Sequence, residues 1–318
     1  MAPQVPEDIS RMMATREWRM HHFLWHEIRN GWLQFDEATQ DTIRQLGWEP
    51  PRPAQTAPDA SGGQSGPDLT NNSGEDFLYM HRQMIQTVNS ELARVGDPDY
   101  PRVQGWPSVP KPSDADYPVP PAWQSGDPGL DGYLVNVKSD ATFNSSFQPW
   151  QKMYTDPARL AAWSLGELGA RLEFTIHNQM HMRWCSEPAV GMRPDIDVTH
   201  PETIDAKWDD VSYDWLGDTY SSHVNSVFWK VHGWVDDRIE DWKKANGVTG
   251  DIAWKGMWVG KSPAAPPANS FLAAFAANVG HMHHGGSHGS MEEMEKLLGI
   301  VIHQGRFCHF YDQVKVPE

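Results

Sequence analysis

Apolar and aromatic side chains recur every three or four residues along most of the patterned stretches of this chain, and two-residue alternation is rare. A period near 3.6 places such residues on one face of an α-helix, whereas a half-buried strand needs a period of two. The expected fold is therefore mainly α, with few strands. The periodicity predicts helices over residues 7–33, 36–46, 76–95, 156–184, 224–245 and 291–303. Asn30-Gly31 and Gly47 mark two of their ends. Between them lie Pro/Gly-rich stretches at about 50–75 and 97–130, an irregular segment at 186–220, and a linker at 261–270. The second stretch contains Tyr100, Trp106, Tyr117 and Trp123, and so is expected to pack on the domain.

Composition narrows the function classes. The 318 residues include 26 basic and 42 acidic side chains, a formal charge of −16 with no basic stretch to offset it. Nucleic acid and anionic membrane surfaces are unsuited partners for such a chain. No apolar run reaches the ~18 residues of a membrane span. The opening MAPQVPEDISRMMATREW lacks a basic-then-apolar leader, which leaves a cytoplasmic location as the default expectation. Two cysteines permit one bridge at most and leave the redox compartment open. The excess lies elsewhere, in 16 Trp, 15 His and 14 Met.

Several histidines have metal-ligand spacing. His177 and His181 stand four apart inside the predicted 156–184 helix, as do His22 and His26 in M-H-H-F-L-W-H-E. Residues i and i+4 share a helix face about 5–6 Å apart at Cβ, so two imidazoles there can close on one ion. Such pairs also arise by chance in a chain with this many histidines. The run His281-Met282-His283-His284-Gly-Gly-Ser-His288 is compositionally metal-binding, and its glycines suit either a flexible loading segment or a polar turn.

The surroundings of two of these stretches form longer motifs. His177 lies in I-H-N-Q-M-H-M-R-W, and about fifty residues later comes H-V-N-S-V-F-W-K-V-H-G-W-V-D-D-R-I-E-D-W, with Phe228 four before His232 and Asp236 four after. Upstream, F-L-Y-M-H-R-Q-M-I-Q-T-V-N-S-E-L carries His81 and Arg82. In this order the motifs resemble the type-3 copper proteins, the superfamily of tyrosinases, catechol oxidases and haemocyanins. Departures from the pattern are Asn225-Ser226 for Asp-Pro, Val231 for a histidine, Met80 for Trp, and Asn72 where a middle first-site histidine is usual.

The resemblance implies an antiparallel four-helix bundle holding a dinuclear metal centre, wrapped by the long irregular loops. It covers pieces spread over residues 18–96 and 160–245, and implies a copper domain over 1–260 with loop insertions at about 50–75 and 97–130. A His-rich and aromatic extension, 261–318, is expected to pack on the same domain. It implies His177, His181 and His232 as ligands of one copper and His81 as a ligand of the other. For the rest of the first site, either His22 and His26 complete it, or only one residue of that helix binds. In the second case His200, His223 or a C-terminal histidine serves as a replacement, or the protein holds a single copper. Six neutral imidazoles without thiolate suit copper cycling between two oxidation states, although zinc accepts three histidines equally well.

By the same resemblance Asn178 and Glu167 are the candidate catalytic residues, holding a water that takes the proton of a phenol. Phe307, Phe310 and Tyr311 are candidates to lie over the site, and Trp229 and Trp234 to line it. The implied activity is a tyrosinase-like copper oxidase or monooxygenase using O2 on phenolic, catecholic or aminophenolic substrates. The alternative is a non-enzymatic or single-copper member that binds oxygen or copper. Small aromatic molecules and O2 are the implied partners, and a copper chaperone stands among those such a site admits.

Overall fold

A computed structural model describes residues 4–56, 66–193, 204–261 and 291–303. Twelve α-helices are present among these residues, and no strand: α1 Glu7–Met13, α2 Arg16–Gly31, α3 Glu37–Gln45, α4 Ser73–Val95, α5 Pro128–Val137, α6 Asp140–Thr142, α7 Gln148–Thr155, α8 Pro157–Ala162, α9 Leu165–Leu172, α10 Asn178–Trp184, α11 Ser226–Ala245 and α12 Met291–His303. Five-residue π-turns, Phe143–Phe147 and Glu173–His177, join α6 to α7 and α9 to α10. None of the described helices is long and apolar enough to cross a membrane.

The helix ends follow local chemistry. Asp36, Asp127, Asp156 and Asn225 each accept a backbone N–H of the first turn that follows, which satisfies donors that the helix itself leaves without partners. Gly96 closes α4 at φ 72°, a left-handed conformation that costs a glycine nothing.

Two predicted helices are each broken once. The stretch 7–33 is interrupted at Ala14 and Thr15, where Thr15 turns extended and the Arg19 guanidinium takes up the Ala14 carbonyl. The stretch 156–184 is interrupted at Trp163 and Ser164. There Ser164 Oγ accepts from the Glu167 N–H, a Ser-x-x-Glu start signal that apolar periodicity passes over. The helices α5 to α7 lie within and just after a proline-rich stretch, where apolar periodicity predicts none. Pro128 stands at the start of α5, where its missing N–H has no partner to lose.

The core is continuous from α1 to α12 and rich in tryptophan; Trp25, Trp48, Trp106, Trp229 and Trp234 are fully buried. The irregular segment 97–127 contributes to it through Tyr100, Trp106 and Trp123. α12 packs on α2 through a face that buries Met294, Leu297, Leu298 and Val301.

Two backbone contacts set the helix spacing. A Cβ on Gly74 of α4 would meet the Ala170 nitrogen and the Gly166 oxygen of α9 at 2.1 Å. A Cβ on Gly105 would meet Trp234 N of α11 at the same distance. α4 thus lies backbone-to-backbone on the segment leading to His177, and the 97–127 segment lies on α11 beside His232. Asn72, where the resemblance called for a ligand, precedes α4 at φ 64° and packs against Gly166. It fills a left-handed position that asparagine tolerates better than most residues.

Candidate metal centre

Among the described residues two buried groups of three histidines stand inside the fold, and each could hold a metal ion. His22, His26 and His81 form one, and His177, His181 and His232 the other; within each group the ligand nitrogens lie within 4.8 Å of one another. α2 supplies His22 and His26, α4 supplies His81, the π-turn and α10 supply His177 and His181, and α11 supplies His232. None of the six is more than 3% exposed.

The second group is tight. The Nε2 atoms of His177, His181 and His232 are separated by 3.1, 3.1 and 3.2 Å. Three nitrogens bound tetrahedrally to one ion at ~2 Å lie ~3.3 Å apart, so the spacing fits shared coordination.

The tautomers point the same way. His181 Nδ1 donates to the Leu216 carbonyl at 3.0 Å. His177 Nδ1 donates to Asn178 Oδ1 at 2.9 Å, with the Glu173 carbonyl also within its reach. A neutral imidazole carries one proton, so both Nε2 atoms present bare lone pairs to each other. Without a cation that contact is repulsive; a cation between them turns it into bonding.

The first group is prepared alike. His22 Nδ1 donates to the Thr219 carbonyl at 2.6 Å and His81 Nδ1 to the Phe77 carbonyl at 2.9 Å. Each leaves an Nε2 lone pair with no protein partner. Hydrogen bonds of this kind orient metal-binding imidazoles and raise their donor strength. The two groups adjoin: the His81 ring stacks on the His232 ring with centroids 4.2 Å apart and an interplanar angle of 19°.

Phenylalanines four residues before two of these histidines hold the rings from the side. Phe228 stacks on His232 at 3.9 Å, and Phe77 lies 4.7 Å from His81 and 4.9 Å from His177. The Phe-x-x-x-His spacing occurs at both places in the sequence and could have flagged them together. Arg82, next to His81, makes a forked ion pair with Asp236, four residues past His232, at 2.6 and 3.2 Å. The two motifs are thereby joined.

Burial governs the electrostatics. It pushes His21 and His22 down to about 4 and His177 to about 3, and holds His26, His81, His181 and His232 well below the usual imidazole range. At neutral pH the rings are uncharged and their lone pairs available.

A pH dependence follows for the metal-free protein. Above about pH 6.5 both folded and unfolded chains carry neutral imidazoles, and stability is insensitive to pH. Below it the unfolded chain takes up protons that the folded chain refuses until about pH 4 for His22 and about 3 for His177. Stability is therefore lost as pH falls through that window, by about 1.4 kcal/mol per unit for each such group. Urea unfolding of the metal-free protein at pH 7.5 and pH 5 measures this. Equal midpoints would contradict neutral buried imidazoles.

The other predicted residues fall elsewhere. Asn178 is buried, with its side-chain oxygen on His177. Glu167 pairs with Arg171 one turn on at 2.9 Å, an i,i+4 contact on the partly exposed face of α9. The buried carboxylate of this segment is instead Glu173, bound to Arg29, a partner 144 positions away that no local pattern reveals. His21 lies against Trp48, outside both groups. His223 packs edge-on to His22 at 4.8 Å and directs Nε2 to the Met13 carbonyl. Trp229 and Trp234 are wholly buried. His200, the His281–His288 run, Phe307, Phe310 and Tyr311 lie outside the described residues. No protein-family model matches the chain, and no curated protein matches it with significance.

Proposed function

We propose that this protein is a dinuclear copper oxidase of the type-3 kind, using O2 to oxidise catecholic, aminophenolic or phenolic molecules. The observation that carries the reading is the pair of adjoining three-histidine groups, neutral and joined through the His81–His232 stack. On this reading α2, α4, the α9–α10 segment and α11 are the four helices of a bundle with the ligands pointing inward. His22, His26 and His81 would hold one ion, and His177, His181 and His232 the other. Copper would supply one-electron cycling between Cu(I) and Cu(II), two electrons in all from a pair of ions.

The chain's own residues do the rest. The carbonyls of Thr219, Phe77 and Leu216 fix which nitrogen of His22, His81 and His181 faces the centre. Phe77 and Phe228 keep water from the rings. Asn178 acts through His177, whose Nδ1 proton its oxygen holds. With Asn178 so engaged and Glu167 on Arg171, the base that a monophenol requires is not supplied by this pair. Catechols and aminophenols therefore stand ahead of monophenols.

One observation favours the alternative of oxygen or copper binding without turnover. The six imidazoles are at most 3% exposed, which admits O2 more readily than an aromatic ring. The test is copper analysis after anaerobic Cu(I) loading, followed by O2 uptake with and without a catechol. The oxidase reading expects two coppers per chain and one O2 consumed for every two catechols converted to quinone. Two coppers with reversible O2 binding and no quinone would select the alternative. A chain that retains no copper would end both.

A further inference from the structure

The Arg29 guanidinium lies where three of the ligand-bearing segments meet. It donates from Nη1 to Glu173 Oε1 at 2.6 Å and from Nη2 to Glu173 Oε2 at 3.0 Å, a two-pronged pair with both side chains no more than 1% exposed. The same Nη2 donates to the Ser73 carbonyl at 2.8 Å, at the first residue of α4. Arg29 stands three residues after His26 on α2. Glu173 opens the π-turn that ends at His177. A single planar cation thus ties the helix of His22 and His26 to the start of the helix of His81 and to the turn of His177. Its face also covers Trp25 at 4.9 Å, and Trp25 in turn packs edge-on against His26 at 4.9 Å.

Burying this pair is costly. Each ion loses several kcal/mol of hydration, and an apolar pair of similar volume is often as stable or more so. Stability alone gives little reason for it. A fork of fixed geometry does something an apolar contact does not: it sets the distance and angle between the elements it joins.

Resting on the dinuclear copper reading, we propose that Arg29 and Glu173 are positioning residues that set the separation of the two metal ions. Glu173 has a second effect, since it neutralises a fixed positive charge beside a site that must accept two cations. The two effects separate experimentally. Glu173→Gln keeps size and one of the two accepted hydrogen bonds, but its amide NH2 cannot accept the second, and the Arg29 charge is left uncompensated. The double variant Arg29→Met/Glu173→Met removes both charges together with the fork, and leaves every histidine in place.

The probe is copper, loaded anaerobically as Cu(I) and then oxidised. Bound metal is counted per chain, and electron paramagnetic resonance reports whether the Cu(II) ions are coupled, hence silent, or apart and visible. Wild-type protein is expected to bind two ions and to be largely silent. Glu173→Gln is expected to bind copper ~10–100-fold more weakly, the usual cost of losing a group that supports a ligand. The double variant is expected to keep two ions and become visible. Should Glu173→Gln fail to fold, the double variant, which leaves no unpaired charge, decides alone. Two silent ions in the double variant overturn the proposal while leaving the copper reading intact. Fewer than two ions in the wild type overturns that reading, and this inference with it.

Discussion

On the dinuclear copper reading, alanine at His181 is expected to remove one of two coppers per chain and to abolish catechol oxidation. Its Nε2 lies 3.1 and 3.2 Å from the Nε2 atoms of His177 and His232. Its loss leaves two nitrogens and an apolar hole where the third stood. A two-imidazole site would bind far more weakly, and a lone ion in the first group would supply only one of the two electrons of the proposed pair. Replacing His22 should have the same consequence for the first group, since its Nδ1 donates to the Thr219 carbonyl and leaves a bare lone pair on Nε2. His21→Ala is the internal control. That side chain packs on Trp48, outside both groups, so its loss is expected to lower stability by about 2 kcal/mol through the cavity left behind and to leave copper content at wild-type level. Copper content after gel filtration and initial oxidation rates measure all three. Unchanged copper in His181→Ala would remove it as a ligand. Equal losses from His21→Ala and His22→Ala would mean that α2 responds through folding rather than through coordination.

What could be read from the sequence is what depends on local spacing. His22/His26 and His177/His181 are neighbours because a helix makes i and i+4 neighbours, and apolar period alone located the helices that carry them. His81 and His232 have no histidine partner at helical spacing; only the longer motifs around them, each with a phenylalanine four residues earlier, marked them. The parts that could not be read are those made by distant chain. The carbonyls of Leu216 and Thr219 that orient His181 and His22 come from an irregular segment with no period to interpret. Arg29 and Glu173 meet across 144 residues. Glu167 stands ten residues before His177, but chain distance alone does not bring it to the site. The π-turn at Glu173–His177 changes the helical phase between the two, and Arg171 holds Glu167 through the i,i+4 contact that helices make by default. The break at Ser164 was legible in principle, because Ser-x-x-Glu is a start signal that outranks continuing apolar periodicity.

The spacing of the helices depends on a position with no side chain, and this gives the largest expected effect on stability. Gly74 lies in the first turn of α4, and a Cβ there would sit 2.1 Å from both Ala170 N and Gly166 O of α9. The contact is reciprocal, since a Cβ on Gly169 would meet the Gly74 oxygen at 2.1 Å. Both partners are backbone, so no rotamer change relieves the clash; the helices must part by more than 1 Å, to roughly the 3.4 Å of ordinary contact. Overpacking a core costs about 1–3 kcal/mol even where side chains can shift, and Gly74→Ala is expected at or beyond the upper end of that range. Gly132→Ala on α5 supplies the contrast. Nothing lies within 4 Å of its Cβ position, and alanine should stabilise that helix by about 0.5–1 kcal/mol. Thermal unfolding should move in opposite directions for the two variants, by about 5 °C downward for Gly74→Ala. Gly74→Ala should also lose copper from the second group before it unfolds, because α9 runs directly into the turn that carries His177. An unfolding temperature for Gly74→Ala equal to that of the wild type would show that the two helices are not packed backbone to backbone, and that the spacing of the histidine groups is set by other contacts.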